Sequence, residues 1–280
     1  MKDDLFNTQP ILQIMKTPLP AFVLAAVSLL VVTLAAQGQN SLPADAVRVA
    51  TPVTTHALPI SSAPKAQVFG NGRWVALGAD GRLSCSTDGI KWNAACLPAE
   101  SFLRGVAFGN GQFVAVGGSY SWGGSVILTS VNGRSWSLHT CPSRQVLHGV
   151  TYSGDEFIAV GAGGTILTAK SGQRWRKQAS GTDATLAAVV HGNGTCVVGG
   201  DDGLILSSRD TLRWTRQTSG TSRYVGRIAF DHERFVARAG NLHLESSDGS
   251  HWQAIDGDTV PSSAFLVQTN VTVSKPRLIE

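Results

Sequence analysis

A tryptophan recurs five times in this chain at a nearly constant interval. Each copy follows a short turn rich in Ser, Asp and Gly, and the separations are 44, 39, 39 and 38 residues: Trp92, Trp136, Trp175, Trp214 and Trp252. A period near 40, built from short apolar runs divided by glycine turns, is typical of a four-stranded propeller blade. The sequence therefore predicts a tandem array of such blades, and its function is to be sought on the faces of that array.

The second repeat shows the division into strands most clearly. Runs rich in Val, Ile, Phe and Thr alternate with Asn-Gly turns typical of hairpins. No stretch after residue 40 has convincing helical periodicity, so we predict an all-β fold. The strands predicted in this repeat cover residues 103–108, 112–117, 125–130 and 135–140.

The second repeat is also longer than the others. Its extra residues fall in 117–124, where the other repeats have a tight glycine turn, and they include Tyr120 and Trp122. An aromatic pair on an exposed loop suits stacking on a sugar or anchoring a protein partner, because both rings offer a large contact area at low entropic cost. The alternative is that Trp122 packs only against its own loop.

The repeats carry a family resemblance. The motif Ser-x-Asp-Gly-x-x-Trp, seen at Ser86 to Trp92, follows a Val-Gly-x-x-Gly-x-Ile/Leu strand pair, and it resembles the Asp-box repeats of bacterial neuraminidase-type and photosystem II assembly-factor-like propellers. The resemblance covers residues 65 to about 257 and implies a β-propeller with five full repeats. We expect six blades if the two tails close a composite blade, and five otherwise. Similar boxes occur in glycosidases, scaffolds and lectin-like proteins, so the resemblance implies no single activity.

The box has a structural explanation that needs no catalysis. Its Asp and Ser side chains can bond turn amides, and its Trp can cover the hairpin against a neighbouring blade. We assign this structural role to Ser86, Asp88, Trp92, Asn132, Trp136, Trp175, Asp210, Trp214, Asp248 and Trp252.

The N-terminal region predicts export. Residues 21–36 form an apolar run preceded by Lys16 and followed by small and polar residues, as in a signal peptide, and Met15 could be the true start. We expect residues 1–38 to be a cleaved signal peptide or an uncleaved anchor, 39–64 a leader or closing strand, and 65–280 the propeller. The expected location is periplasmic or extracellular.

The four cysteines permit disulfides in an exported chain. Cys85 and Cys96 flank the first box hairpin and are the pair to test first, whereas the pairing of Cys141 and Cys196 stays open. Free, buried thiols are the alternative. The seven histidines never adopt a metal-ligand spacing with cysteines, so neither a metal site nor a cofactor is predicted.

Propeller geometry indicates where a ligand would bind. Box turns share one face with the turns between first and second strands, which leaves the opposite face, the usual ligand side in the resembled families, to the remaining connections. Aligned first strands also place three basic side chains at one position around the central channel, where solvation alone is the competing explanation. The candidate binding residues are Tyr120, Trp122, Arg104, His148, Lys65, Asp80, Asp202, Arg223 and Tyr224.

These observations favour an exported, monomeric, non-catalytic propeller that binds a protein or a glycan. The alternative is a glycoside hydrolase or lyase, for which Asp80 and Asp202 are the best carboxylate pair available. The net charge of +4 comes from dispersed Lys and Arg residues, which does not indicate a nucleic-acid partner. Membrane contact is expected only through an uncleaved N-terminal segment.

Overall fold

The computed structural model describes residues 64–97, 100–121, 123–256 and residue 265. The predicted signal or anchor segment, residues 39–63 of the predicted leader and the tails that would form a sixth blade lie outside these residues, apart from Phe265. In the part of the chain that is described, no helix is long and apolar enough to cross a membrane.

Five four-stranded antiparallel sheets follow one another along the chain, and we call them blades 1 to 5. Within each blade the strands pair in sequence order, with the first strand innermost. The strands are β1 (Ala66–Gly70), β2 (Arg73–Leu77), β3 (Leu83–Ser86) and β4 (Asn93–Ala94) in blade 1; β5 (Ser101–Gly109), β6 (Gln112–Ser119), β7 (Ser125–Ser130) and β8 (Ser137–His139) in blade 2; β9 (Leu147–Tyr152), β10 (Phe157–Gly161), β11 (Thr165–Ala169) and β12 (Arg176–Gln178) in blade 3; β13 (Leu186–Gly192), β14 (Thr195–Gly200), β15 (Ile205–Ser208) and β16 (Thr215–Gln217) in blade 4; and β17 (Val225–Asp231), β18 (Arg234–Ala239), β19 (Leu242–Ser246) and β20 (Gln253–Ile255) in blade 5. A short 3-10 helix, Asp201–Gly203, joins β14 to β15.

The predicted all-β fold is confirmed, but the insertion in blade 2 is shorter than predicted. The predicted strand ended at residue 117, but Gly118 and Ser119 continue β6 and pair with Phe102 and Ser101 of β5. Glycines at 117 and 118 suit this pairing because the neighbouring backbone and the Phe102 ring leave no room for a Cβ atom at either position. The loop itself therefore begins at Tyr120.

Asn-Gly pairs close the hairpin between the first and second strands in blades 1, 2 and 4, as the sequence predicts. Asn71 and Gly72 have φ angles of 47° and 69°, the two positive values that a type I′ turn requires. The same turn also contacts the next blade, since the Asn71 side-chain amide donates to the carbonyl oxygens of Gly111 at 2.6 Å and Val131 at 2.9 Å. Turn chemistry thus contributes to packing between blades.

The core consists of apolar clusters between consecutive blades. The cluster between blades 1 and 2, for example, joins Val75 and Leu83 to Phe113 and Trp136. Among the described residues there are four such clusters, one for each step from blade 1 to blade 5, and each includes or touches the box tryptophan of the later blade: Trp136, Trp175, Trp214 and Trp252. Trp92 belongs to none of these four clusters. Whether the ring has five or six blades stays a prediction.

Of the two alternatives for Cys85 and Cys96, a disulfide or free thiols, the structure has free thiols. All four cysteines are free thiols. Cys85 lies in β3 opposite Asn93 and is buried in the cluster between blades 1 and 2. Cys96 lies beyond β4, where its backbone amide donates to the Arg134 carbonyl oxygen at 2.7 Å, and its side chain is exposed. The chain has thus turned toward blade 2 before it reaches Cys96.

The pKa of Cys196 is raised to about 12 by burial and by the nearby Glu156 carboxylate, so this thiol stays protonated.

Candidate binding site at the channel mouth

An irregularity of the innermost strands builds the candidate site. In blades 2 to 5 the pairing of the first strand with the second skips one residue, which forms a β-bulge. A bulge re-aims the side chain of the extra residue. The skipped residues occupy the same place in each repeat: Arg104, His148, Ala187 and Gly226.

In blades 2 to 4 the bulge lies opposite a glycine of the second strand, whereas blade 5 has Ala239 at this position. Gly161 of β10 lies against the bulge of blade 3, and a Cβ atom there would overlap the carbonyl oxygen of Val146. Gly117 and Gly200 have the same relation to the carbonyl oxygens of Phe102 and Thr185. The Val-Gly element of the repeat motif is therefore explained by the bulge that it accommodates.

The bulge residues meet around a single central cavity of about 140 Å³. Every blade contributes to its wall. Lys65 enters from blade 1, Arg104 from blade 2, His148 from blade 3, Ala187 from blade 4, and Arg227 from blade 5. The structure thus brings together the three basic residues that the alignment of first strands selected.

The cavity is electropositive. Desolvation, followed by the charges of Arg104 and Arg227, lowers the pKa of Lys65. Desolvation and the charges of Arg104 and Lys65 lower the pKa of His148, which the Asp201 carboxylate partly offsets. Four basic side chains thus share one small cavity, and Asp201 is the one carboxylate of the described residues that influences a pKa there, an arrangement that favours an anionic ligand.

An aromatic ladder connects the cavity to the insertion of blade 2. The Tyr120 ring is 68% exposed and packs on Phe102 with a centroid separation of 4.9 Å. The guanidinium carbon of Arg104 lies 5.4 Å from the centroid of the same Phe102 ring, within range of a cation–π interaction. The loop and the channel therefore form one continuous surface. Trp122 lies outside the described residues.

Two further candidates lie in the connection that leads into blade 5. Tyr224 lines the cavity, and its half-exposed ring lies over Gly226, where a Cβ atom would crowd it. Burial and the Asp201 carboxylate raise the pKa of the Tyr224 hydroxyl. Arg223 is exposed and donates a hydrogen bond to the Asn241 side chain in the next turn. Of the two, only Tyr224 lines the cavity.

The two candidate carboxylates are not brought together. Asp80 accepts the Arg82 amide of its own turn at 3.1 Å and lies 3.9 Å from the Arg82 guanidinium, so this carboxylate stabilises the turn. Asp202 is exposed in the short helix of blade 4, with a φ angle of 53°. In the described part of the chain, no hydrogen bond or ion pair joins them. Nor do three or more His, Cys, Asp or Glu residues cluster there in a way that could hold a metal ion.

The box turns lie at the other end of the strands and have a repeated hydrogen-bond pattern. In blade 1 the Asp88 carboxylate accepts two turn amides at 2.8 and 2.9 Å, and Ser86 Oγ donates to it at 2.9 Å. Ser86 Oγ also accepts the Gly89 amide at 2.8 Å. The Trp92 indole donates to the Gly89 carbonyl oxygen at 3.0 Å. The Ser, Asp and Trp side chains of this box thus form hydrogen bonds within their own turn.

Differences among the boxes show which contacts matter. In blade 2 Asn132 accepts two turn amides at 2.9 and 3.0 Å, so a negative charge is not required. Blade 3 has Ser171 at this position and still has the bond from the Trp175 indole to the Gly172 carbonyl oxygen at 2.8 Å.

The box turn of blade 4 also stabilises the ionised form of its carboxylate. Backbone donation from Arg213 and Leu212 lowers the pKa of Asp210 to about 2.

Replacing Asp88 should separate its geometric role from its charge. We expect Asp88→Ala to lower the melting temperature by about 2–4 °C, because two amides and a hydroxyl lose their acceptor. Asp88→Asn should keep most of this stability at pH 7, as Asn132 shows that an amide oxygen can replace the carboxylate, and should lose only the part that depends on charge. The turn amides lower the pKa of Asp88 from its ordinary value of 3.8, so the charge-dependent part is fully present above pH 3.8 and is lost as the pH falls through the lowered pKa. Equal melting temperatures for the two variants at pH 7 would contradict this account.

Comparison with known proteins agrees with this geometry. No protein-family model matches the chain, and no curated protein matches it. Solved structures do match: YCF48 bound to a D1 peptide, with 16% identity and a TM-score of 0.56, covers 71% of this chain and 68% of that chain. The chain has a β-propeller fold.

Other propellers show the same similarity at lower identity. A catalytically inactive virginiamycin B lyase from Staphylococcus aureus, solved with quinupristin, is 11% identical with a TM-score of 0.59 over 73% of each chain. The propeller domain of Cps50 (Swd1) from Myceliophteria thermophila is 8% identical with a TM-score of 0.52, over 71% of this chain and 73% of that chain. At these identities the similarity shows a shared fold alone.

Sequence reasoning missed the residue that links the two parts of the site. Phe102 precedes Arg104 by two positions at the start of an innermost strand, and no motif marked it. Its place in the ladder depends on the bulge at Arg104, which no local pattern predicts. Asp201, which lies beside the candidate Asp202, accepts the Thr185 amide at 3.2 Å and influences the pKa values of His148 and Tyr224.

Proposed function

We propose that the protein is an exported, non-catalytic binding or scaffold module, and that it recognises a protein partner through the channel mouth and the adjoining loop of blade 2. The observation that carries the proposal is the continuous surface that runs from Tyr120 across Phe102 to Arg104 and the basic cavity. Two aromatic rings beside a cationic cavity can bind an extended peptide segment in which an apolar or aromatic residue lies near an acidic group.

The shared fold offers a precedent for such a partner. YCF48 has been solved with a bound D1 peptide, which is a protein segment. The rigid blades of a propeller can hold variable loops in a constant arrangement, as expected for a recognition module. A glycan partner remains the alternative, since Tyr120 could stack on a sugar ring.

Affinity purification of the tagged full chain tests this proposal. Replacing Tyr120 and Trp122 by alanine should weaken binding of the captured partner by about 2 kcal/mol or more if the rings form a buried hot spot. Arg104→Ala should reduce the salt dependence of association. The control is Ile90→Ala, which removes an exposed apolar side chain from the opposite face. An equal loss in the control would contradict a site at the channel mouth.

The proposal also predicts a pH dependence. A lowered pKa leaves His148 neutral at pH 7, and an acidic ligand in the cavity would raise that pKa. Affinity for a polyaspartate peptide should therefore rise roughly three- to tenfold between pH 7.5 and pH 5.5. The measurement is fluorescence anisotropy, and His148→Gln should flatten the pH profile. A profile unchanged by this substitution would assign the effect to another group.

An enzyme of the glycoside hydrolase or lyase type is the competing function. It would need Asp80 and Asp202 to act on one substrate, whereas Asp80 is bonded within its own turn. Reproducible turnover of a glycan by the pure protein, abolished by Asp80→Asn or Asp202→Asn, would reject the binding-module proposal.

A further inference from the structure

A second surface of the propeller, remote from the channel mouth, carries an unusual charge distribution. The side chains at three positions of each box turn take no part in its shared hydrogen bonds, and in blades 3 and 4 two of these three side chains are cations. The outer strands of the same two blades add further exposed cations. We call these seven residues the basic patch: Lys170, Arg174, Arg176, Lys177, Arg209, Arg213 and Arg216.

The basic patch arises from register between neighbouring blades. Lys170, Arg174 and Lys177 occupy the same repeat positions as Arg209, Arg213 and Arg216. The corresponding positions elsewhere hold one cation in blade 1, none in blade 2 and one histidine in blade 5: Thr87, Lys91 and Ala94; Val131, Ser135 and Leu138; Ser247, His251 and Ala254. Cations that look dispersed along the sequence are therefore concentrated in one sector.

Few acidic groups balance this patch. In the turns of blades 3 and 4 on this face, the exposed carboxylates are Asp155 and Asp210, while Glu156 is buried against Thr211. Glu233 is also exposed in the adjoining turn of blade 5, whose backbone accepts a hydrogen bond from Asn193 of blade 4. Arg213 lies 3.1 Å from Asp210, and it is the one member of the patch that forms an ion pair within the described residues. The net charge of the whole chain is +4, so much of its positive excess lies in this sector.

Apolar side chains protrude from the same face. Leu212 is 57% exposed and lies between Arg209 and Arg213 in a single box turn. Ile90 and Val131 are 48% and 66% exposed in the box turns of blades 1 and 2. A nucleic acid backbone has no apolar surface that these exposed side chains could contact. A lipid bilayer has both anionic headgroups, which the cations can contact, and an apolar interior, which the apolar side chains can enter.

We propose that the box-turn face docks on the surface of a membrane that contains anionic phospholipids. The basic patch contacts the headgroups, and Leu212 reaches the boundary of the acyl chains. This contact is additional to any made by the N-terminal apolar segment. Docking in this orientation leaves the channel mouth, on the opposite face, open to the surrounding solution. The inference does not rest on the function proposed above.

Sedimentation with lipid vesicles tests the proposal on the full chain. Vesicles of phosphatidylcholine with roughly one third phosphatidylglycerol are compared with vesicles of phosphatidylcholine alone. Each cation near an anionic surface changes the partition coefficient about fivefold. The triple variant Arg174→Gln, Arg209→Gln and Arg216→Gln should therefore lose about 100-fold in partitioning to the anionic vesicles. Leu212→Ser should lose about three- to tenfold, with less dependence on salt than the charge variant.

The control removes three exposed arginines from the other end of the strands: Arg82→Gln, Arg144→Gln and Arg238→Gln. All variants share the N-terminal segment, so its contribution cancels, and circular dichroism checks that each is folded. The control should keep most of the anionic-vesicle binding. Equal losses in both triple variants, or a basic-patch variant that binds anionic vesicles as well as the original chain does, would overturn the proposal. So would a triple variant that loses binding to a DNA duplex while its vesicle binding is unchanged.

Discussion

Gly164→Ala is expected to lower the free energy of unfolding by about 3 kcal/mol or more. Gly164 has a φ angle of 59°, a conformation that costs an L-residue about 1–2 kcal/mol. A Cβ atom there would also overlap the carbonyl oxygen of Thr182, in the connection to blade 4. The backbone cannot relieve that overlap by a change of rotamer, so overpacking adds about 1–3 kcal/mol.

A second glycine of the same region separates the two costs. Gly181 has a φ angle of 73°, and the space around its missing Cβ atom is open to at least 4 Å. Gly181→Ala should therefore cost only the conformational penalty of about 1–2 kcal/mol. Urea denaturation of both variants measures the difference. Equal losses of unfolding free energy in the two variants would mean that the turn can move away from blade 4 at no cost. The close approach of Gly164 to Thr182 would then contribute nothing to the effect of Gly164→Ala.

Trp136→Ala is expected to lower the free energy of unfolding by about 3–5 kcal/mol, as is common for a large buried aromatic side chain. The indole is 6% exposed and lies in the cluster between blades 1 and 2, 6.4 Å from the Phe113 ring centroid. Its removal would leave a cavity between two blades and would free the Gly133 carbonyl oxygen, which the indole binds at 3.1 Å.

Trp92 provides a matched comparison within the same chain. It makes the same indole bond in its own box, to Gly89, but it is only half-buried and belongs to none of the clusters between the described blades. Trp92→Ala should therefore cost less than half as much as Trp136→Ala, as measured by urea denaturation of both variants. Losses of equal size would show that the indole stabilises its own turn more than the blade interface.

Much of the fold could be predicted because its signals are local. The recurrence of Trp136 and its equivalents, the Asn71-Gly72 type of hairpin and the alternation of apolar runs each depend on a few neighbouring residues. The failures involve pairing at a distance. Cys96 was judged close to Cys85 from hairpin geometry, but the chain leaves the hairpin toward blade 2 before reaching it. Gly118 suggested a loop, whereas it lies within β6.

The candidate site could be predicted in part. Aligned first strands selected Lys65, Arg104 and His148, and the cavity has these three residues in its wall. Phe102 was missed because its contact with Arg104 and Tyr120 depends on a bulge and on the length of β6. Asp80 and Asp202 share a repeat position, but they lie in blades 1 and 4, and the structure does not join them.

The sequence by itself determined the all-β architecture, the blade period and the turn chemistry, since strands, hairpins and box turns are specified by contacts between residues close in the chain. Only the tertiary structure decided which side chains meet. One bulge in each of blades 2 to 5 re-aims a residue toward a common axis, and register between blades 3 and 4 gathers scattered cations onto one face. Both effects require blades separated by some 40 residues or more to be held side by side, and the packing of apolar clusters between them provides that arrangement.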